Sequence, residues 1–152
     1  LQFPIPEGVK GEHEALAAAL ARAAEEPGEI GEAAREVERL VRPHCVREET
    51  FALPPIALLP QLARGEVTSR AEQVLPLTDR LQRELGSMLE EHKRIVRALE
   101  RLLAAAHAAE RDEHAECARR WIRHARTEED VFYPAAVLAG RYIRLKLGMN
   151  ER

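Results

Sequence analysis

Aromatic side chains are scarce in this 152-residue sequence: three Phe, two Tyr and one Trp make up 4% of it. A β-rich core draws heavily on such residues, so their scarcity argues against a sandwich or barrel. Cysteine is nearly absent as well. Cys45 and Cys117 lie far apart and form no CxxC pair, which excludes a disulfide framework and makes the cytoplasm the expected compartment. No apolar run is long enough for a membrane span, because the longest, Phe51 to Ala63, is short and interrupted by Pro54, Pro55 and Pro60. An excess of positive charge is also missing. Lys and Arg total 23 against 26 for Asp and Glu, a net charge of -3, so the chain offers no field for a phosphate backbone and no nucleic-acid partner is expected.

What remains is rich in Ala, Leu, Glu and Arg, with 32% charged residues, the composition of helices with solvated outer faces. The length predicts one domain over residues 1–152. Helical spacing of apolar residues, punctuated by Pro and Gly, predicts helices at about 9–26, 29–52, 69–107 and 110–139, followed by a basic and apolar tail over 140–152. Pro43 and Pro76 are expected to bend the second and third helices. Four amphipathic helices with mostly short connections bury their stripes most simply as an up-down-up-down four-helix bundle, an all-α fold.

The chemistry enters with histidine. His13, His44, His92 and His124 fall one on each predicted helix, and the segment His44-Cys45-Val46-Arg47-Glu48-Glu49 is echoed by His124-Ala125-Arg126-Thr127-Glu128-Glu129. In both copies a proline, Pro54 or Pro134, follows ten positions after the histidine. Each half of the chain thus pairs a histidine helix with an H-x-x-x-E helix. Residues i and i+4 share a helix face, so His44 with Glu48 and His124 with Glu128 each present an imidazole and a carboxylate together, while Glu49 and Glu129 point sideways. Those faces are otherwise apolar: Leu40, Val41 and Phe51 flank His44, and Trp121 and Val131 flank His124. Four imidazoles and two carboxylates turned into a core need compensation, and a pair of metal ions bridged by the carboxylates supplies it. Such nitrogen and oxygen donors suit iron, manganese or zinc. A ferritin-like arrangement would need Glu-x-x-His pairs, yet Lys10, Val41, Leu89, Ala104, Arg111 and Trp121 stand three places before the six histidines.

The order His13, His44-x-x-x-Glu48, His92, His124-x-x-x-Glu128, together with the stretch Glu128-Glu129-Asp130-Val131-Phe132-Tyr133-Pro134, resembles the hemerythrin-like family, the hemerythrin HHE cation-binding domain. The resemblance covers nearly the whole chain. It implies a non-heme diiron centre, two iron ions joined by an oxo or hydroxo bridge, with His13, His44, Glu48, His92, His124 and Glu128 as the metal ligands. Two departures stand out. Val96 occupies the place where the oxygen-carrying members have a fifth histidine, and the last helix offers Glu128 four places after its histidine where those members have an aspartate five places after. The function that follows is binding or sensing of a small ligand such as oxygen or nitric oxide. The missing fifth histidine leaves a second course open, an enzyme consuming peroxide or oxygen, and a third is an interaction module in which the metal only stabilises the fold.

An apolar pocket of Leu16, Val41, Phe51, Ile95, Val96 and Trp121 is expected to admit small uncharged ligands. His107 and His114 are expected to be solvent-exposed, and Cys45 to be a packing residue off the ligand face. Glu49, Glu91, Glu129 and Tyr133 adjoin the ligands, where hydrogen bonding to them and plain solvation are both open. The tail Arg141 to Leu147 is expected to pack on the bundle.

Overall fold

A computed structural model describes residues 3–149. Helix α1 (Glu7–Ala24) ends at the Pro27-Gly28 punctuation, where Gly28 takes φ +71°, a left-handed conformation that glycine adopts without strain. Helix α2 (Gly28–Arg47) runs unbroken through Pro43 and continues into a π turn, Glu48–Ala52. A 3₁₀ turn (Pro54–Leu58) and the short helices α3 (Leu59–Ala63) and α4 (Ser69–Glu72) lead into the long α5 (Leu75–Ala108). Helix α6 (Asp112–Thr127) likewise passes into a π turn, Glu128–Phe132, and on into α7 (Tyr133–Lys146).

Around the bundle α1 packs on α2 and α6, and α5 packs on α2 and α6, which closes the ring expected of four antiparallel helices. No strand occurs among the described residues, and no helix is long and apolar enough to cross a membrane. The main core, including Leu16, Leu20, Val37, Ile95, Leu99, Leu102 and Trp121, fills the ring on one side of the histidine layer. On the other side Phe51, Leu53, Leu81, Met88, Tyr133 and Ala136 form a second cluster.

Several expectations change. Pro76 does not bend the third helix: it sits in the first turn of α5, where a proline's missing N–H costs nothing, and 69–72 is a separate turn capped by Thr68, whose hydroxyl accepts from the Ala71 N–H at 3.3 Å. The expected tail is helical as far as Lys146. It packs on the bundle through Gly140, Ile143 and Arg144, the last forming a two-pronged pair with Asp79 at 2.8 and 3.0 Å. Val131 is 51% exposed rather than flanking His124, because the π turn rotates it off the α-helical face. Leu16, Val41, Ile95 and Trp121 are packed core, Phe51 lies in the other cluster and Val96 is only half-buried, so these six do not line a common pocket.

Candidate metal centre

His13 lies in α1, His44 in the last turn of α2, His92 in the middle of α5 and His124 in the last turn of α6, and all four are buried. Glu48 and Glu128, each 2% exposed or less, open the two π turns. A proline explains why both repeats widen there. Pro54 and Pro134 bring no N–H to an upstream carbonyl, so the turn before each is closed by an i→i+5 bond, Leu53 N–H to Glu48 O and Tyr133 N–H to Glu128 O.

The six residues converge in two halves. In one, His44 Nε2 stands 3.5 Å from Glu48 Oε2 and His92 Nε2 stands 3.3 Å from Glu128 Oε1. In the other, Glu128 Oε2 stands 3.2 Å from His124 Nε2 and 3.6 Å from His13 Nε2, while Glu48 Oε1 lies 3.9 Å from His13 Nε2. Each carboxylate therefore turns one oxygen to each half. The histidines are held from outside: the Nδ1 atoms of His13, His44 and His92 face Glu49 at 3.3 Å, Glu91 at 2.6 Å and Glu129 at 2.9 Å. Glu91 is itself paired with Arg47. With Nδ1 bonded outward, each of these rings is left to offer Nε2 inward. The sideways aim expected of Glu49 and Glu129 carries them to the histidines of neighbouring helices, where they bond the imidazoles while staying partly in solvent, and Glu91 does the same from a more buried place.

Tyr133 joins the same layer. Its hydroxyl donates to Glu48 Oε2 at 2.5 Å and lies 3.1 Å from His92 Nε2 and 3.3 Å from His44 Nε2. The α-helical period hides this, since five residues after Glu128 an α-helix has turned about 140° away. The π turn brings Tyr133 back; the only advance signal is Pro134.

Electrostatically the layer is under tension without a cation. Burial, then the neighbouring Glu128 carboxylate, push the Glu48 acid above the usual carboxylate range. Burial opposes ionisation of Glu128 too, but the Glu48 acid and the imidazoles of His124, His13 and His92 gathered around it hold it well below that range. Burial works against the His13 imidazolium, yet Glu128, Glu48 and Glu49 together outweigh it and raise His13 from 6.5 to about 9. Burial, followed by the two carboxylates, keeps the Tyr133 phenol protonated.

A metal fits these residues. Glu128 Oε2 is fully buried and accepts no hydrogen bond, and the Nε2 atoms of His13 and His124 converge beside it 3.0 Å apart, three donors that a shared cation would satisfy together. Two buried groups, His44-Glu48-His92-Glu128 and His13-His124-Glu128, have donor atoms close enough to hold an ion.

Cys45 is half-buried and packs against the main core, but its thiol also approaches His13 and Glu48, nearer the layer than helical phase predicts. Burial, then Glu48, push that thiol far up, so it stays protonated. His107 is exposed as expected; His114 is not. It is 3% exposed because the start of α6 packs against the end of α1, where its Nε2 meets Glu26 at 3.1 Å. Arg111 already neutralises Glu26 with bonds of 2.6 and 3.0 Å, so this corner is an ion-pair network rather than a cation cage.

Four helices around a buried layer of imidazoles and carboxylates define the class: a metal-binding helical bundle. The family model of the hemerythrin HHE cation binding domain matches residues 5–136, and the chain belongs to that family. Neither the curated proteins nor the solved structures contain a match.

Proposed function

We propose that the chain holds two iron ions between His13, His44, His92 and His124, with Glu48 and Glu128 bridging them, and that this centre binds a small diatomic ligand such as oxygen or nitric oxide. The observation that carries the reading is the split aim of the carboxylates, one oxygen of Glu48 and one of Glu128 toward each pair of histidines. Iron rather than manganese or zinc is favoured by family membership. Ferrous iron with an open position supplies reversible binding of small neutral molecules. The protein's part is to fix the imidazoles through Glu49, Glu91 and Glu129, to place the carboxylates by the two π turns, and to keep bulk water out with the two apolar clusters.

The test is anaerobic titration of the ferrous-loaded protein with nitric oxide, followed optically. Saturable binding at no more than two equivalents per chain is expected, and no spectral change would end the ligand-binding reading. Glu128→Ala, which removes an oxygen from each half, should hold fewer than two irons. Val96, where a ligand-type side chain is missing, favours a second reading, consumption of peroxide or oxygen at the same centre. Stopped-flow mixing with peroxide separates the two, since only an enzyme turns over beyond one equivalent per site.

A further inference from the structure

The two halves of the chain carry the same His, Glu-Glu and Pro at matching places, and the residue before the proline is where they differ in donor chemistry. The repeat that reads His44, Glu48, Leu53-Pro54 in the first half reads His124, Glu128, Tyr133-Pro134 in the second. Leu53 and Tyr133 are equally buried, but only one of them carries a donor atom. That atom is placed where a donor counts. The Tyr133 oxygen lies 2.5 Å from Glu48 Oε2, 3.1 Å from His92 Nε2 and 3.3 Å from His44 Nε2, which are inward donor atoms of a single half. Around a six-coordinate ion with bonds of about 2.1 Å, neighbouring donors stand about 3 Å apart. The phenol oxygen thus has the spacing of a fellow ligand. Val96 and Leu53 are the two positions where helical phase or the repeat would have allowed another donor, and both are hydrocarbon.

We propose that Tyr133 is a seventh protein ligand, its phenol oxygen binding the iron held by His44 and His92, so that the exogenous ligand is taken by the iron held by His13 and His124. The inference rests on the diiron reading above. As the oxygen–iron bond forms, the phenol O–H bond breaks and the proton leaves to solvent; no electron changes hands. Surface hollows lie over both halves, one of about 610 Å³ lined by His124, Thr127 and Phe132 and one of about 440 Å³ lined by Glu129 and Tyr133, so the asymmetry comes from the phenol alone.

The experiment loads the full chain with iron, oxidises it to the ferric state, and measures iron content, visible absorption and resonance Raman scattering together. The expected result is a phenolate-to-ferric charge-transfer band whose excitation enhances tyrosine ring vibrations, lost in Tyr133→Phe and kept in Tyr142→Phe. The chain has two tyrosines, so Tyr142→Phe alone assigns the band if Tyr133→Phe does not fold. Azide should bind once per chain. Two irons per chain without the band, a band that survives Tyr133→Phe, or two azides per chain would overturn the assignment while leaving the diiron centre standing. Fewer than two irons would overturn the diiron reading, and this one with it.

Discussion

His13 shows at the scale of one side chain how the layer is balanced. An imidazole this buried ordinarily loses its proton, but three carboxylates from two other helices hold that proton until about pH 9, above the ordinary 6.5. A group whose folded pKa is raised stabilises the fold below its unfolded pKa and stops doing so as pH rises through the folded one. The metal-free protein should therefore lose stability between pH 6.5 and about 9, seen as a falling thermal midpoint, and His13→Asn should flatten that fall. A midpoint that holds steady across the range would contradict the assignment. Metal must displace the same proton, so uptake should release protons and strengthen with pH.

At the scale of elements, the π turns do most to shape the centre. Each starts at a bridging candidate and ends beside a proline, and each puts the following glutamate, Glu49 or Glu129, against the histidine of a neighbouring helix. The last helix also has to be held close. A Cβ on Gly140 would clash with the Thr78 side chain, 2.8 Å from its Cβ, so α7 and α5 approach where no larger residue fits. Gly140→Ala should cost about 1–3 kcal/mol in denaturant unfolding. Replacing Asp79 by Ala, which strands the buried Arg144 guanidinium, should cost about 3 kcal/mol.

These elements also mark where the sequence was readable. Helical period and the H-x-x-x-E repeat were enough for the bundle and for bringing His13, His44, Glu48, His92, His124 and Glu128 into one layer, because an α-helix keeps i and i+4 on one face. The same period fails once a helix changes its winding. Helical phase turns Val131 inward, yet it lies outward, and Tyr133, whose place that phase does not decide, lies among the imidazoles. His114 escapes the pattern for another reason: its burial depends on how the ends of α1 and α6 meet, which no local pattern encodes.

Across the whole molecule, the layer stands between two of the three apolar clusters, so its charge balance bears on the stability of both. A ligand that binds only the folded chain stabilises it by about 2.7 kcal/mol at one hundred times its dissociation constant. Iron loading should accordingly raise the thermal midpoint by several degrees, and a chelator should reverse the gain. The Arg111–Glu26–His114 network, remote from the layer at the α1 and α6 ends, should be indifferent to metal.

The central claim is that these six side chains build a two-ion site. Anaerobic ferrous titration of the metal-free protein, with elemental analysis after removal of unbound iron, tests it most directly. Two irons per chain are predicted, falling below two in both Glu48→Ala and Glu128→Ala; a plateau at one iron or none, or two irons retained in both variants, would contradict it.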